Sequence, residues 1–156
     1  MTLPADTVPL GVPFVIGQAV VAALRAVTGT GGALAGAVVL DNPARATDLA
    51  EGPRMIWFED QFDRLRGQPG QIAQRAYGFT VGVIARTTTA RQQCHRDYRA
   101  AKRVIRACLR DLTTAGISIE GAGLQEGDVV YRLENLDVGG ALVLGSFIVD
   151  YRDRGG

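Results

Sequence analysis

The chain has 156 residues, of which 47% are hydrophobic and 21% charged, and its formal net charge is +1. This length and composition exclude a disordered or fibrous protein and predict one globular domain that buries its core without disulfides or metal staples. The nearly neutral total also excludes a protein that is basic overall, so any affinity for nucleic acid or a membrane surface would have to come from a local patch.

The N-terminal part of the sequence predicts an arm followed by a helix. Three of the six prolines lie within residues 1–13, where no hydrophobic periodicity is present, so we expect a flexible arm over residues 1–12. No basic region typical of a signal peptide occurs there, and we expect a cytoplasmic protein. A helix from Pro13 to Thr28 is predicted next. Its apolar stretch is too short to cross a membrane. This helix is apolar nearly all round, which predicts that a neighbouring subunit helps to cover it.

Three strands are predicted next, over Ala37–Leu40, Arg54–Phe62 and Arg75–Arg86. The segment between the second and third is rich in Gly and Pro and too long for a tight turn, so we expect a projecting loop over residues 63–74. In the third strand one face carries Tyr77, Phe79, Val81 and Val83, and the other carries Ala76, Gly78, Thr80 and Gly82. The small residues predict that a helix or a neighbouring subunit packs closely against that face.

The C-terminal half predicts one long helix and three strands. Over Thr89–Thr114 the residues of one helical face are Cys94, Tyr98, Ala101, Ile105, Cys108 and Leu112. The strands follow at Ile117–Glu120, Val129–Leu136 and Ala141–Tyr151. The predicted fold class is therefore α+β: a single domain over residues 1–156, with a mixed or antiparallel sheet packed by the long helix and the N-terminal helix.

Residues suited to catalysis or metal binding are few. His95 is the only histidine, which excludes a cluster of histidine metal ligands. Cys94 and His95 are adjacent on a helix and point about 100° apart, so they form no catalytic dyad. The glycines of Gly29–Gly32 follow a helix and lack the Lys-Ser/Thr ending of a phosphate loop. Glu59 and Asp60 alternate across a strand and face opposite ways. We expect no enzyme activity, no cofactor and no metal.

A basic face on the long helix is the candidate interface. Its residues are Arg96, Arg99, Lys102, Arg103, Arg106 and Arg110. Residues 91–111 hold seven basic and two acidic side chains, a local charge of +5, whereas the rest of the chain has ten basic and fourteen acidic residues, about −4. Three roles stay open for this face: a solvated helix surface, a contact with an acidic subunit or partner, or proximity to DNA.

The order, lengths and residue patterns of the segments resemble those of a known family. The segments of this chain that carry the resemblance lie within roughly residues 14–151. They are VIGQAVVAALRAV, VVLDNPARATDLAEGPRMIWFEDQ, QRAYGFTVGVIART, RQQCHRDYRAAKRVIRACLRDL, DVVYRLENL and ALVLGSFIVDYR. Together they resemble the tail terminator (minor tail) proteins of tailed bacteriophages and of related gene transfer agents.

The resemblance implies a ring, usually hexameric, that caps the tail tube and joins it to the head. The implied partners are further copies of the chain, the tail tube protein and the head–tail connector protein, with DNA passing through the ring and no membrane. The implied location is the virion tail, assembled in the host cytoplasm. Two alternatives stay open: another tail or neck component, such as the tube protein or the head–tail stopper, and a small nucleic-acid-binding module that uses the basic helix.

Overall fold

The computed structural model describes residues 11–29, 31–42, 53–68, 70, 72–134 and 140–153. Its elements in chain order are α1 (Val12–Thr28), β1 (Val38–Asp41), β2 (Arg54–Gly67), β3 (Ala73–Ala85), α2 (Ala90–Thr114), β4 (Ile119–Glu134) and β5 (Gly140–Asp153). The five strands form one sheet in the order β1-β2-β3-β5-β4, in which β1 pairs parallel with β2 and all other pairs are antiparallel. The predicted α+β class, with a mixed sheet, a long helix and an N-terminal helix, is confirmed.

Both helices pack on one face of the sheet, where the main core lies. The alternation in β3 is confirmed, since its large side chains point into this core. Phe79 stands at the centre of an aromatic row across three strands, with its ring centroid 5.1 Å from that of Phe58 and 5.4 Å from that of Phe147. Burial of such rings supplies a large part of the hydrophobic stabilisation of a small domain.

The core face of α2 follows the predicted period. Among the six residues predicted, Cys94, Tyr98, Ala101 and Ile105 are buried, whereas Cys108 and Leu112 are half-buried at its border. Two further buried residues, Asp97 and Leu109, widen the face. A stripe broader than one residue per turn is expected where a helix lies flat on a sheet and touches a second helix.

One side of α1 is covered by its own chain, and the predicted cover of its remaining surface by a neighbouring subunit stays a prediction. Its buried residues are Ile16, Gly17, Val20, Val21 and Leu24. A Cβ atom on Gly17 would lie 3.1 Å from the Phe58 ring and 3.2 Å from the Tyr77 hydroxyl, so the missing side chain lets the helix approach the sheet closely. The large hydrophobic side chain that stays exposed on this helix is Phe14, at 50%.

The loop predicted over residues 63–74 is mostly strand. Residues 63–67 belong to β2 and residues 73–74 to β3, and Asp63 pairs with Tyr77 in the register. The β3 end of this hairpin is also paired with β5, from Ala73 opposite Asp153 onward. The pairing of β3 with β5 keeps these residues in the sheet despite the local preference of Gly and Pro for a loop. Two register shifts between β2 and β3 accommodate the extra residues of β2.

Two further boundaries differ from expectation. The segments predicted as separate strands over Ile117–Glu120 and Val129–Leu136 are one strand, β4, with two register shifts where the turn was expected. Leu136 lies outside the described residues. So does the predicted arm over residues 1–12, apart from Gly11 and Val12, which form the N-cap and first residue of α1.

The small-residue face of β3 is filled by side chains of β2. A Cβ atom on Gly82 would lie 2.0 Å from the Trp57 ring, and one on Gly78 would lie 2.4 Å from the Phe62 ring. The close packing predicted for this face is therefore supplied at these two positions by aromatic side chains of β2 and not by a helix, whereas contact of a neighbouring subunit with this face stays a prediction. Each glycine is the cross-strand partner of the aromatic residue that covers it, an arrangement that pairs a large side chain with an empty position.

Gly82→Ala is expected to lower the free energy of unfolding by about 1–3 kcal/mol, because the new methyl group overlaps the Trp57 indole. Urea unfolding followed by circular dichroism measures the loss. Gly31→Ala is the matched control, since a Cβ atom there meets nothing within 4 Å. Equal stability of the two variants would show that the Trp57 ring moves aside freely.

Candidate interaction site

A cleft runs between α2 and β4 on the helix-bearing face of the sheet. One part, of about 610 Å³, is lined by His95, Tyr98, Arg99, Lys102, Arg103, Arg106, Glu126 and Tyr131. A second part, of about 840 Å³, continues along the helix and is lined by Arg106, Leu109, Arg110, Thr113, Thr114, Gly123 and Leu124. Arg106 lines both parts, which lie side by side along α2. We call the two parts together the basic cleft.

Five of the six predicted interface residues line the basic cleft: Arg99, Lys102, Arg103, Arg106 and Arg110. The sixth, Arg96, is exposed and lies outside it. A helix turns about 100° per residue, so Arg99 and Arg106, seven residues apart, lie on the same side of α2. The sequence identified the basic helix but not the strand that forms the other wall.

Glu126 is the carboxylate that β4 contributes to the cleft. Its Oε2 atom lies 3.1 Å from Lys102 Nζ and 3.6 Å from an Arg106 nitrogen, and the Tyr98 hydroxyl donates a 3.2 Å hydrogen bond to its Oε1. Burial and the nearby Glu126 charge raise the pKa of Tyr98, so its hydroxyl stays a donor at neutral pH. One carboxylate therefore serves two cations here.

Three arginines of the basic cleft have no such partner in the described ranges. Within the described part of the chain, no carboxylate lies in ion-pair distance of Arg99, Arg103 or Arg110. With one carboxylate for five cations, the cleft keeps a positive excess. A concave surface of one sign attracts opposite charge more strongly than the same charges spread on a convex surface.

An aromatic pair closes one end of the cleft. The rings of His95 and Tyr131 stack with centroids 4.7 Å apart and an interplanar angle of 15°. Tyr131 is 56% exposed, so this pair offers a flat apolar surface beside the cations. Its position was not predicted, because the sequence separates the two residues and each alone is an ordinary surface side chain.

The Cys94 thiol lies beneath this end and is inert. It is fully buried and donates a hydrogen bond to the Val83 carbonyl at 3.2 Å. Burial, with a smaller effect of the Asp97 charge, raises the pKa of the thiol to about 11. The thiol therefore stays protonated at neutral pH, which agrees with the rejection of a Cys94–His95 dyad.

A largely buried ion pair joins α2 to the start of β2. Arg54, the first residue of β2, donates to both carboxylate oxygens of Asp97 at 2.9 and 2.8 Å. The same guanidinium donates to the carbonyls of Ala33 and Ala35, and Gln93 donates to Asp97 at 2.8 Å. Asp97 is 1% exposed. Sequence reasoning missed it, although an acidic residue within the apolar stripe of a helix is a signal for such a pair.

No protein-family model matches the chain, and a search of curated proteins finds no match either. Within the ranges that the structure describes, no helix is long and apolar enough to cross a membrane. Among the same residues, no three His, Cys, Asp or Glu side chains come together as metal ligands would.

Proposed function

We propose that the chain is a structural subunit of a phage-type tail, most closely of the tail terminator kind. In this role copies of the chain form a ring that caps the tail tube and meets the head–tail connector. The resemblance of the segment order to that family supplies the specific assignment. The physical support is a subunit whose surface is built to be covered by neighbours.

The observation that carries the proposal is the helix-free face of the sheet. An apolar cluster lies there, with Met55, Trp57 and Ile84 buried and Leu40, Leu142 and Leu144 half-buried around them. Val38 and Val130 extend it toward both sheet edges, each 39% exposed. No described helix packs against this face. The three central residues are already buried in the single chain, so the apolar surface open to a neighbour is that of the half-buried and exposed members, Leu40, Leu142, Leu144, Val38 and Val130. Apolar side chains that stay accessible together on one face mark an interaction face in a protein that assembles.

The outer edge of β4 adds to this support. It pairs only with β5 among the described strands and runs for 16 residues, Ile119–Glu134. A long unpaired edge invites uncontrolled pairing, and natural proteins twist, shorten or cover such edges. The register shifts in β4 disrupt its ladder, and a neighbouring subunit would cover the rest.

Immunogold electron microscopy of tails assembled with a tagged copy of the chain tests the proposal. We expect label at the head-proximal end of every tail, and we expect tails formed without the chain to fail to join heads. Label along the whole tube would indicate the tube protein instead. No label on tails would remove the tail assignment altogether.

A second candidate function is binding of nucleic acid in the basic cleft. It is favoured by the stacked pair of His95 and Tyr131 beside cations that lack carboxylate partners, since such sites combine base stacking with phosphate contacts. This reading requires affinity for duplex or single-stranded DNA that falls steeply with salt, as counterions are released on binding. A flat salt response would exclude it.

A further inference from the structure

The edge of the sheet opposite the basic cleft carries acidic residues that have no cationic partner among the residues the structure describes. Asp41 ends β1, and Glu59 and Asp60 lie on β2 just beyond the residues that β1 pairs with. Their described contacts are to neutral groups: Asn42 donates to Asp41, Gln61 to Glu59 and the Tyr77 hydroxyl to Asp60. We call Asp41, Glu59 and Asp60 the acidic edge.

The carboxylates of Asp41 and Asp60 lie on the same face of the sheet as the basic cleft. The pKa of Tyr77, a residue of that face, is raised first by burial, then by its hydrogen bond to Asp60 and by the charges of Asp60 and Asp41. Both acids therefore stand close to one core-facing hydroxyl. Asp41 and Asp60 are exposed and Glu59 is half-exposed, so the whole edge is accessible.

The strand register aligns the acidic edge with the cleft. Asp60 is opposite Phe79, Phe79 is opposite Phe147, and Phe147 is opposite Glu126. Asp60 and the cleft carboxylate therefore occupy one row across the sheet, with three strand spacings of about 4.8 Å, or roughly 14 Å, between them. That separation is too great for the acids and cations of one chain to pair with each other, but it sets them at the two ends of one row.

We propose that the basic cleft of one copy receives the acidic edge of the next copy in a head-to-tail contact. Two different patches at opposite edges of one sheet suit a heterologous interface, and such an interface generates a ring when its rotation closes. Arg99, Arg103 and Arg110 gain carboxylate partners in this way, and Asp41 and Asp60 gain cations, whereas Glu59 faces the other side of the sheet and adds to the negative charge of the edge. The inference rests on the proposed function, because it assumes that copies of the chain meet in a ring.

A pair of charge-reversal variants tests the contact. The cleft variant is Arg99→Glu with Arg103→Glu, and the edge variant is Asp41→Lys with Glu59→Lys. Each set changes side chains that bond no buried group among the described residues, so both variants should fold. Sedimentation velocity at low salt should show self-association of the wild type, and weakening of about tenfold or more in either variant alone.

An equimolar mixture of the two variants gives the sharpest result. Every cleft in an alternating arrangement then meets an edge of opposite charge, so association should return to nearly the wild-type level. Arg96→Glu with Arg91→Glu is a control with the same change in net charge on the same helix, and it should associate as the wild type does. Wild-type association in both charge-reversal variants, equal loss in the control, or a mixture that stays dissociated would overturn the contact.

Cross-linking supplies a second measurement. Lys102 is the only lysine in the sequence and lies in the cleft, so a carbodiimide reagent can join its amine to a nearby carboxylate. In a mixture of isotopically labelled and unlabelled chains we expect mixed-label links from Lys102 to the acidic edge. Links only to Glu126 of the same copy, together with a monomeric wild type, would overturn the inference.

The two proposals fail in different ways. If the mixture of variants recovers association but labelled rings are missing from tails, the contact stands and the tail function falls. If tails carry rings built from either variant alone, the function stands and this contact falls. Binding of duplex DNA that the cleft variant loses, without self-association of the wild type, would assign the cleft to nucleic acid and overturn the contact.

Discussion

Replacing Asp97 by alanine is expected to lower the free energy of unfolding by about 3–5 kcal/mol. The carboxylate holds Arg54 through two hydrogen bonds and is 1% exposed. Its removal leaves a partly buried guanidinium without its counter-charge, and it releases the link between α2, the start of β2 and the carbonyls of Ala33 and Ala35. A charge stranded in this way costs more than the intact pair contributes.

Chemical denaturation at neutral pH measures this loss. Asp111→Ala is the matched control, because Asp111 is exposed on the same helix and the change in helix propensity is the same; its effect should stay within about 0.5 kcal/mol. The double variant Arg54→Met with Asp97→Leu should be milder than Asp97→Ala, since no charge is left unpaired. A loss below about 1 kcal/mol for Asp97→Ala would show that water or another side chain replaces the carboxylate.

Ile105→Ala is expected to lower the free energy of unfolding by about 2–4 kcal/mol through the cavity that it leaves. Ile105 is fully buried in the main core, on the face of α2 that meets the sheet. Neighbouring strands hold their positions through the sheet hydrogen bonds, so the cavity can collapse only in part.

Urea unfolding again gives the measurement, with an unchanged denaturant slope required for the comparison. Leu65→Ala is a control that removes a similar amount of apolar side chain from a site that is 55% exposed, and it should change stability by about 0.5 kcal/mol or less. Equal losses at the two sites would mean that Ile105 is not a core residue in solution.

Several features were predictable from the sequence because they depend on short-range periodicity. The spacing of Cys94, Tyr98, Ala101 and Ile105 identified the core face of α2, and the alternation through Tyr77 and Phe79 identified the core face of β3. Both patterns repeat within a few residues, and the backbone geometry of a helix or strand converts them directly into a buried side. The α+β class followed from the order of such segments.

The basic helix was also readable, since its charges lie within 91–111 of the sequence. The strand that forms the other wall of the cleft was not predictable in this way. Glu126 and Tyr131 come from β4, and β4 was predicted as two separate strands. A register shift inside a strand has the same local composition as a turn: Gly123 and Gly127 suit both. The pairing with β5 decided between them.

The tertiary structure alone decided which distant residues meet. Arg54 and Asp97 are 43 residues apart, Trp57 covers Gly82, and the row from Asp60 to Glu126 crosses four strands. No local pattern specifies such partners, because each side chain alone is compatible with many neighbours and the choice depends on strand order and register. Periodicity within the sequence determines which side of an element is buried; the packing of whole elements determines what lies on that side.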